Sequence, residues 1–407
     1  MKKIFWIINQ YASTPDTGMG GRHFYLAKEL VAQGHTVYVI AAGFTHLLTC
    51  PPTLDKRFTI EEVDGIHFLW VKTPHYKQAH SKKRVLNWFL FSFYIKGLID
   101  FISEKPDVIY YSSPSLVAFR GAKYLSNYYG SKFIFEIRDV WPLTLIELGG
   151  YSAKNPFIKF LQKIEDSAYE QSHKVLSNLS NVHEHMISRG MDIRKFLWVP
   201  NGFSKAEVEK PMALSEEVRN SIPKDKFIIG YAGTLGLANA LDTLIESAFI
   251  LRNYKEIVFL IVGQGKEKEN LQKIVKNRGI SNVIFLPPVK KLQVQSALAF
   301  FDVCYIGWKN DSLYKYGIAP NKLPEYLFSA KPIIHSFSGV GDVISDINAG
   351  ITVAAEDPSA VAEAVLKIYN FDEAKRLDMG MKGRLYALEN YEYSIIAKRL
   401  YNSIWAE

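Results

Sequence analysis

Short apolar runs alternate with amphipathic stretches along the first half of the chain. Brief runs of β-branched and aromatic residues are typical of buried strands, whereas apolar positions three and four residues apart are typical of helices. We predict strands at residues 4–9, 36–41, 108–111, 132–136, 174–177 and 196–199, and helices at 22–33, 115–129 and 157–171. Strands that alternate with helices in this way form a parallel sheet covered by helices on both faces.

The same alternation begins again in the second half. A polar stretch rich in Lys and Glu follows the turn sequence Pro200-Asn201-Gly202 and extends to Asp225, which indicates a domain boundary. Beyond it we predict strands at 227–232, 258–262, 283–286, 303–306 and 332–335, and helices at 241–251, 267–278, 290–299 and 322–329. A second doubly wound domain is therefore expected.

The length of the chain also favours two domains. Its 407 residues exceed the roughly 250–300 at which a single hydrophobic core usually splits. The predicted fold class is α/β, with two doubly wound Rossmann-like domains at residues 1–200 and 201–385 and a C-terminal helix at 386–407 that packs across their junction. Because ligands bind at the carboxyl ends of strands in open α/β sheets, we expect the domains to face a central cleft that holds the chemistry.

The composition excludes several classes of protein. With 48% hydrophobic, 14% aromatic and 22% charged residues, the sequence is typical of a globular protein. The two cysteines, Cys50 and Cys304, form no CxxC motif, so neither a disulfide framework nor a zinc site is predicted, and a reducing cytoplasm fits. The N-terminal MKKIFWIINQ lacks the apolar region of a signal peptide, and no apolar run approaches the roughly 20 residues that span a bilayer.

Positive charge is concentrated in the first half of the chain. Of a net charge of +8, residues 1–200 hold 24 Lys and Arg against 17 Asp and Glu. Segment 72–96 has no acidic residue and combines Lys72, Lys77, Lys82, Lys83, Arg84 and Lys96 with Tyr76, Trp88, Phe89, Phe91, Phe93 and Tyr94. Such a segment suits an anionic membrane surface. A core helix at 85–101 with a solvated basic loop is an equally weighted alternative, and nucleic acid ranks last because no binding motif is present.

Glycine-rich loops follow the first predicted strand of each domain. Gly20, Gly21 and Arg22 precede the first helix, where glycines allow close approach of a ligand and a helix N-terminus favours an anion. The spacing is not GxGxxG, so a dinucleotide cofactor is not predicted, and a simple turn is the competing interpretation. The loop 230–236 and the turn Gly263-Gln264-Gly265 offer similar diphosphate cradles in the second domain.

The stretch PNKLPEYLFSAKPII, residues 320–334, is the most informative. Lys322 and Glu325 are three apart at the start of a predicted helix and therefore share one face. A cation at this position can hold phosphate while the carboxylate accepts ribose hydroxyls. The alternative is a surface ion pair worth about 0.3 kcal/mol. The position between Pro320 and a buried strand favours the functional interpretation.

A run of motifs in this order resembles the retaining glycosyltransferases of family GT4, in particular their WbuB-like branch. The motifs cover nearly the whole chain and read GGRHFYLAKELVAQGHTVYVI, DVIYYSSPSL, FEIRDVWPLTLIELG, VPNGF, YAGTLG, FLIVGQG, VIFLPPV, PNKLPEYLFSAKPII and NAGITVAAEDPSAVAEAV. The resemblance implies a GT-B fold, a nucleotide-sugar donor (a UDP-sugar is favoured) and a saccharide acceptor linked to undecaprenyl diphosphate. It also implies synthesis of bacterial surface polysaccharide, O-antigen or capsule, at the cytoplasmic face of the inner membrane.

The resemblance also implies roles for individual residues. The C-terminal domain would bind the donor and the N-terminal domain most of the acceptor. Besides Gly20, Gly21, Arg22 and Gly263, the donor would be bound by Gly233 and Thr234 at the diphosphate, Asn321 and Lys322 near the phosphate, Glu325 at the ribose, and Pro288 and Val289 at the base. Arg138 and Asp139 stand where many GT4 enzymes have a His-Asp pair facing the donor sugar, and with Lys322 they are the catalytic candidates.

Three positions depart from the family pattern. Gly317 occupies the place of the first Glu of the E-x7-E motif, Asn239-Ala240 replaces a common Lys after the YAG loop, and Arg138 replaces His. The WbuB-like branch tends to share these changes, so they narrow the resemblance to that branch. They leave the catalytic roles open.

The chemistry requires stabilisation of a departing nucleoside diphosphate. Lys322, Arg22 or Arg138 and helix N-termini can supply it. No Asp-x-Asp motif stands where a metal is expected, so we predict metal independence and no cofactor. Same-face attack by the acceptor hydroxyl is favoured, and Asp139 is the candidate nucleophile for a double displacement. A nucleotide-sugar 2-epimerase and a non-catalytic sugar-nucleotide-binding membrane protein are the alternatives.

Overall fold

The chain folds into two compact units, described by a computed structural model over residues 1–76 and 81–405. Unit 1 comprises Met1–Pro200 and the C-terminal segment from Tyr393, and unit 2 comprises Asn201–Glu392. The chain therefore leaves unit 1, forms unit 2 and returns to unit 1. The predicted packing of residues 386–407 across a domain junction stays a prediction.

Unit 1 is built on an eight-stranded sheet. Its strands are β1 (Ile4–Ile8), β2 (Thr36–Ala42), β3 (Phe58–Val63), β4 (Ile66–Val71), β5 (Val108–Ser112), β6 (Lys132–Ile137), β7 (Lys174–Ser177) and β8 (Phe196–Trp198). Its first helices are α1 (Gly21–Ala32), α2 (Lys82–Tyr94), α3 (Phe119–Tyr129), α4 (Leu143–Glu147), α5 (Pro156–Gln171) and α6 (His183–Ser188). The strand order is β3-β4-β2-β1-β5-β6-β7-β8, and the neighbouring strands are parallel except for β3 with β4.

Unit 2 is built on a six-stranded parallel sheet. Its strands are β9 (Phe227–Ala232), β10 (Ile257–Val262), β11 (Val283–Leu286), β12 (Val303–Gly307), β13 (Ile333–Ser336) and β14 (Gly350–Val353), in the order β11-β10-β9-β12-β13-β14. Its helices are α7 (Lys205–Val208), α8 (Glu216–Asn220), α9 (Leu241–Ile250), α10 (Lys268–Asn277), α11 (Val294–Leu298), α12 (Leu323–Phe328), α13 (Val343–Asp346), α14 (Pro358–Tyr369) and α15 (Glu373–Asn390).

The last helix, α16 (Tyr393–Trp405), completes the core of unit 1. It packs against α1, and Tyr393 stacks on Tyr25 with ring centroids 5.2 Å apart. Lys132 Nζ donates a hydrogen bond of 2.6 Å to the carbonyl of Ile404, which ties the helix to the start of β6.

The reversal of strand order positions the loops that matter for function. In unit 1 the chain builds outward from β1 through β2 and β4, then returns to the other side of β1 with β5. Unit 2 does the same around β9, with β10 on one side and β12 on the other. At such a switch point the loops diverge and leave space for a ligand at the carboxyl ends of the strands.

The predicted doubly wound α/β architecture is confirmed, although some elements differ. The hairpin of β3 and β4 and the edge strand β14 were not predicted. In β3 the exposed acids Glu61 and Glu62 break the apolar run, because an edge strand need not be buried. The predicted helix at 290–299 divides into a 3₁₀ turn, Lys291–Gln293, followed by α11.

The basic and aromatic segment 72–96 combines features of both interpretations, the membrane surface and the core helix. Trp88 and Phe91 of α2 are buried, so the expectation of exposed aromatics is wrong for them. By contrast Leu86, Phe89 and Phe93 are 53%, 42% and 65% exposed. Lys77 lies outside the described residues. No helix among the described residues is long and apolar enough to cross a membrane.

Candidate functional site

Two glycines allow neighbouring loops of unit 2 to meet at the carboxyl ends of β9 and β10. The backbone N–H of Gly233 donates to the carbonyl of Val262 (3.0 Å), and a Cβ atom on Gly263 would collide with the carbonyl of Gly233. Only glycine fits such a close approach. The predicted cradle residues Gly233 and Gly263 therefore lie side by side at one edge of the sheet.

Lys322 reaches this edge from the turn before α12. Its Nζ donates hydrogen bonds to the hydroxyl of Tyr231 (2.9 Å) and to Oδ1 of Asn239 (2.5 Å), and it lies 4.4 Å from the centroid of the Tyr231 ring. A Cβ atom on Gly233 would lie 3.3 Å from Lys322 Cε. The ammonium group is thus held beside the glycine loop, and its contact with a phosphate stays a prediction.

The charge of Lys322 is poorly compensated. Burial lowers the pKa of its ammonium group to about 7. Among the described residues no carboxylate lies within ion-pair distance of its Nζ, and both hydrogen-bond partners are neutral. A partly desolvated cation without a counter-ion is costly, and an incoming anion relieves that cost.

Glu325 lies on the short helix α12, all six residues of which are buried. Pro324 in the first turn suits the start of a helix because it needs no intrahelical N–H partner there. The Tyr326 hydroxyl bonds both the N–H (2.6 Å) and the carbonyl (2.9 Å) of Ala232, which fixes α12 against the end of β9. The sequence therefore positions Glu325 rigidly.

The Glu325 carboxylate pairs with Lys291. Gln295 donates to the backbone carbonyl of Glu325 (2.9 Å), which holds the 3₁₀ turn and α11 against α12. The Glu325 side chain is buried, whereas that of Lys291 is half exposed. Lys291 can therefore move aside or share the carboxylate with a ligand hydroxyl.

The remaining donor candidates lie at the same sheet edge or beside α12. Thr234 follows β9 and is exposed, and its carbonyl accepts a hydrogen bond of 2.6 Å from the Tyr231 hydroxyl. Pro288, exposed, and Val289, half-buried, follow β11, and Asn321 is exposed before Lys322. Their predicted contacts with a donor stay predictions.

Two departures from the family pattern have structural reasons. Gly317 has a φ of 91°, a conformation that a glutamate adopts only with strain, and its N–H closes a 3₁₀ turn on Tyr314 (3.0 Å). Asn239 stands where a Lys is common, and its amide oxygen accepts from Lys322. The Asn239 amide therefore holds the ammonium group of Lys322, whereas a lysine at position 239 would repel it.

In unit 1 the predicted glycine loop forms the start of α1. Gly20 and Gly21 both have a φ of 69°, in the left-handed region that glycine adopts at little cost. The Gly20 N–H donates to Ser13 Oγ (3.2 Å). Within the described ranges no side chain caps α1, and its first turn carries no acidic residue. An uncapped N-terminus of this kind favours an anion.

Arg22 has a structural partner that the sequence did not reveal. It is 4% exposed, and its Nη2 lies 2.7 Å from Glu136 Oε1 and donates to the carbonyl of Val199 (2.8 Å). The Glu136 carboxylate is completely buried in β6. This ion pair balances the charge of Arg22, and phosphate contact by Arg22 stays a prediction that the geometry does not favour.

The environment of Glu136 is a polar cluster inside the apolar sheet. Burial would raise the pKa of Glu136, but Arg22, His23 and Arg138 outweigh burial and lower it. Ser112 Oγ donates to Glu136 Oε2 (2.5 Å) and lies 2.9 Å from His23 Nε2. Burial lowers the pKa of His23 to about 4, so the imidazole is neutral at pH 7.

Arg138 and Asp139 follow β6 directly. The Arg138 N–H donates to Ser113 Oγ (2.9 Å), which fixes the turn after the strand. Its Nε is buried and has no hydrogen-bond partner among the described residues. Asp139 is exposed, and its carbonyl accepts from the N–H of Trp141 (2.8 Å). Arg138 retains unused hydrogen-bonding capacity, and catalytic roles for both residues stay predictions.

Sequence reasoning missed four residues of these sites, namely Tyr231, Asn239, Lys291 and Glu136. A single acid within the apolar run KFIFEI was a signal for Glu136, because a buried carboxylate requires a partner. The other three contact Lys322 or Glu325 across 34 to 91 positions of sequence, and no local pattern indicated them. Among the described residues no group of three or more His, Cys, Asp or Glu is placed to hold a metal ion.

Both halves of the chain match models of glycosyltransferase domains. Residues 18–207 match the model described as Glycosyltransferase Family 4, and residues 226–370 match the model described as Glycosyl transferases group 1. The first match includes the glycine loop, Arg138 and Asp139. The second includes Gly233, Gly263, Lys322 and Glu325.

Individual relatives agree with these matches. WcaI of Escherichia coli K12, named as a glycosyl transferase of colanic acid biosynthesis, is 29% identical over 351 residues, or 80% of each chain. Two solved structures share the fold over essentially their whole length: WaaG, titled a glycosyltransferase involved in lipopolysaccharide biosynthesis (TM-score 0.68, 15% identity), and Anabaena HepE in complex with UDP and glucose (TM-score 0.67, 12% identity). The chain is therefore a glycosyltransferase of GT-B fold, whose N-terminal half matches the family 4 model and whose C-terminal half matches the group 1 model.

Proposed function

We propose that this enzyme transfers a sugar from a nucleotide sugar, with UDP as the favoured nucleotide, to a saccharide linked to undecaprenyl diphosphate, with retention of configuration at the anomeric carbon. The product would belong to a bacterial surface polysaccharide. The likeness to WcaI of colanic acid biosynthesis and to WaaG of lipopolysaccharide biosynthesis, and the UDP bound in HepE, support this proposal. The alternatives, a 2-epimerase and a non-catalytic binding protein, have no comparable support.

The environment of Lys322 carries the proposal. An ammonium group that is desolvated, lacks a carboxylate partner and lies beside the Gly233 loop is suited to a diphosphate. As the bond between the anomeric carbon and the diphosphate breaks, negative charge develops on the leaving group. Lys322 stabilises this charge, and it does so more strongly than a solvated lysine would. The acceptor hydroxyl attacks the same face, and its proton passes to the departing diphosphate.

Glu325 is proposed to bind the ribose. Its carboxylate is fixed on α12, and Lys291 is its one ion-pair partner among the described residues. Two ribose hydroxyls would take the remaining acceptor positions of this carboxylate. Pro288 and Val289 would flank the base, and Gly233, Thr234, Gly263 and Asn321 would surround the diphosphate. We expect that no metal ion is required in this arrangement, because the ammonium group of Lys322 compensates negative charge on the diphosphate.

The exposed face of α2 is proposed to dock on the cytoplasmic surface of the membrane. Leu86, Phe89 and Phe93 are spaced three and four apart and form one stripe, which Lys82 and Lys83 extend at the start of the helix. Aromatic side chains with adjacent lysines favour an anionic bilayer surface. Arg84 is excluded from this stripe because its guanidinium donates to the Tyr11 hydroxyl (3.0 Å).

Transfer itself is tested with a panel of UDP- and GDP-sugars and lipid-linked saccharide acceptors, in buffer containing EDTA. We expect a glycosylated lipid product whose new linkage keeps the anomeric configuration of the donor, as NMR of the product would show. Full activity in EDTA is expected. Conversion of the donor to an epimer without any acceptor, or a product of inverted configuration, would contradict the proposal.

Replacement of Glu325 by Gln is expected to weaken UDP binding about tenfold, because hydrogen bonds to a charged acceptor contribute roughly 1.5–3 kcal/mol and 1.4 kcal/mol is a factor of ten. Calorimetric titration with UDP measures this. Lys291→Ala should have a smaller effect, since it frees the carboxylate for the ribose, and Lys290→Ala, an exposed neighbour, serves as the control. Unchanged UDP affinity in Glu325→Gln would exclude the ribose role.

The affinity for UDP is expected to fall as the pH rises above 7. Free Lys322 has a pKa of about 7, and a bound diphosphate raises this pKa, so binding above pH 7 requires uptake of a proton. The terminal phosphate of UDP does not interfere with this measurement, because its second pKa, about 6 as in other phosphate monoesters, lies below the pH range used. Below pH 7 this contribution to affinity is constant.

Calorimetric titration of UDP between about pH 7 and pH 9 measures this dependence, in buffers of different ionisation enthalpy that report proton uptake. Lys322→Arg is the matched variant, because a guanidinium stays protonated over the whole range. We expect its UDP affinity to be flat. An equal slope in the wild type and in Lys322→Arg would assign the titration to another group.

Docking of α2 predicts that the protein co-sediments with phosphatidylglycerol vesicles at low salt and is released as the salt concentration rises. Replacing Lys82 and Lys83 by Gln should lower the partition coefficient about thirtyfold, since each basic group contributes about 1 kcal/mol and 1.4 kcal/mol is a factor of ten. The control is Lys273→Gln with Lys276→Gln, two exposed lysines of α10. Equal loss in both double variants would show a net-charge effect without a docking face.

A further inference from the structure

Unit 1 contains a cavity that the proposed donor site does not use. It has a volume of about 500 Å³ and lies at the carboxyl ends of β2 and β4, two adjacent parallel strands. The lining residues come from the loop after β2, the approach to β3, the loop after β4 and the end of α2, and are Gly43, Phe44, Pro52, Leu54, Arg57, Lys72, Thr73, Pro74, His75 and Tyr94. This is the sheet edge at which ligands bind in such folds.

The polar side of the cavity is cationic. Arg57 and Lys72 both line it, and within the part of the chain that the structure describes neither has a carboxylate within ion-pair distance. Lys72 Nζ makes a long contact of 3.4 Å with the carbonyl of Asp55, and Arg57 lies 4.7 Å from the centroid of the Tyr94 ring. Both residues are exposed at the mouth of the cavity, and an anion bound there would be attracted by both charges.

Thr73 supplies an unused hydrogen-bonding group. It is 5% exposed, it lines the cavity, and its Oγ1 is buried without a hydrogen-bond partner among the described residues. Buried hydroxyl groups are nearly always paired, so an unpaired one at the wall of a cavity indicates a missing partner. A phosphate oxygen would accept a hydrogen bond from this hydroxyl.

The rest of the lining is apolar or aromatic. Phe44 stacks on His75 with ring centroids 4.0 Å apart, and Pro52 and Leu54 lie on the same wall. Tyr94, at the end of α2, adjoins Phe93, the most exposed member of the stripe that we propose to dock on the membrane. The cavity therefore combines a cationic side with apolar surface, and Tyr94 of its wall is the neighbour of Phe93 in the chain.

We propose that this cavity binds the diphosphate of the lipid-linked acceptor, with Arg57 and Lys72 as charge partners, Thr73 as hydrogen-bond donor and the aromatic wall against the first part of the lipid chain. This inference rests on the proposed function, since it assigns the anchoring group of the acceptor to a place in unit 1. Arg57 and Lys72 would hold the acceptor and take no part in bond cleavage.

The test uses farnesyl diphosphate and inorganic pyrophosphate as probes and calorimetry as readout. Farnesyl diphosphate should bind more tightly than pyrophosphate, because it also fills the apolar wall. Arg57→Gln with Lys72→Gln should weaken its binding about tenfold or more, because charge-assisted hydrogen bonds to phosphate are lost. Thr73→Val, which keeps the side-chain shape, should weaken it less. Lys56→Gln with Lys105→Gln removes the same charge from exposed positions of unit 1 and should change little.

Two further measurements separate this inference from the proposed function. UDP affinity should be unchanged in the Arg57 and Lys72 double variant, and its binding to phosphatidylglycerol vesicles should be retained. Farnesyl diphosphate affinity that is unchanged in this variant would overturn the inference, and so would a parallel loss of vesicle binding, which would assign the cavity to lipid headgroups. If the wild type binds UDP but not farnesyl diphosphate, only the acceptor site fails. Absence of UDP binding would instead refute the proposed function.

Discussion

Parallel strand pairing determines which residues of each unit can carry chemistry. The central strands are buried on both faces, so polar side chains are costly along their length and collect where the strands end. In unit 2 this edge gathers Gly233, Gly263 and the ammonium group of Lys322, and in unit 1 it gathers the start of α1, Arg138 and the cavity beside β2 and β4. Glu136, in contrast, lies within a strand and needs four polar neighbours to be tolerated there.

Arg22, which is buried, and Lys322, which is partly buried, show how the partners of a cation separate a structural role from a functional one. Arg22 is paired with a carboxylate that is itself fully buried, and removal of either partner would leave an uncompensated charge. Lys322 is held by a phenol and an amide, which orient it without neutralising it. The first arrangement neutralises its cation, whereas the second leaves the charge of Lys322 without a carboxylate partner among the described residues. Arg57 and Lys72 resemble Lys322 in this respect, because they face a cavity, whereas Arg22 faces a glutamate.

The sequence predicted most of the architecture and only part of the site. Continuous apolar runs such as β9 and β10 can be recognised as strands from the sequence, because buried parallel strands need no polar face. β3 escaped detection because half of its residues are exposed. Lys322 and Glu325 were found from their local spacing, but their partners Tyr231 and Lys291 come from distant positions that only the sheet brings together. Arg22 was assigned to phosphate because nothing near it in sequence reveals Glu136, which lies 114 positions away.

The return of the chain to unit 1 has a consequence for its synthesis. The core of unit 1 includes Tyr393, Ile396, Leu400 and Ile404 of α16, which follow the whole of unit 2 in the chain. During synthesis on the ribosome, all strands of the eight-stranded sheet are made before this covering helix. The apolar surface that α16 covers therefore stays exposed until nearly 200 residues of unit 2 have been made. At roughly 5–20 residues per second the interval is about 10–40 seconds. Nascent unit 1 is therefore a natural client for chaperones that shield apolar surface, and unit 2, which is continuous in sequence, can reach its folded state first.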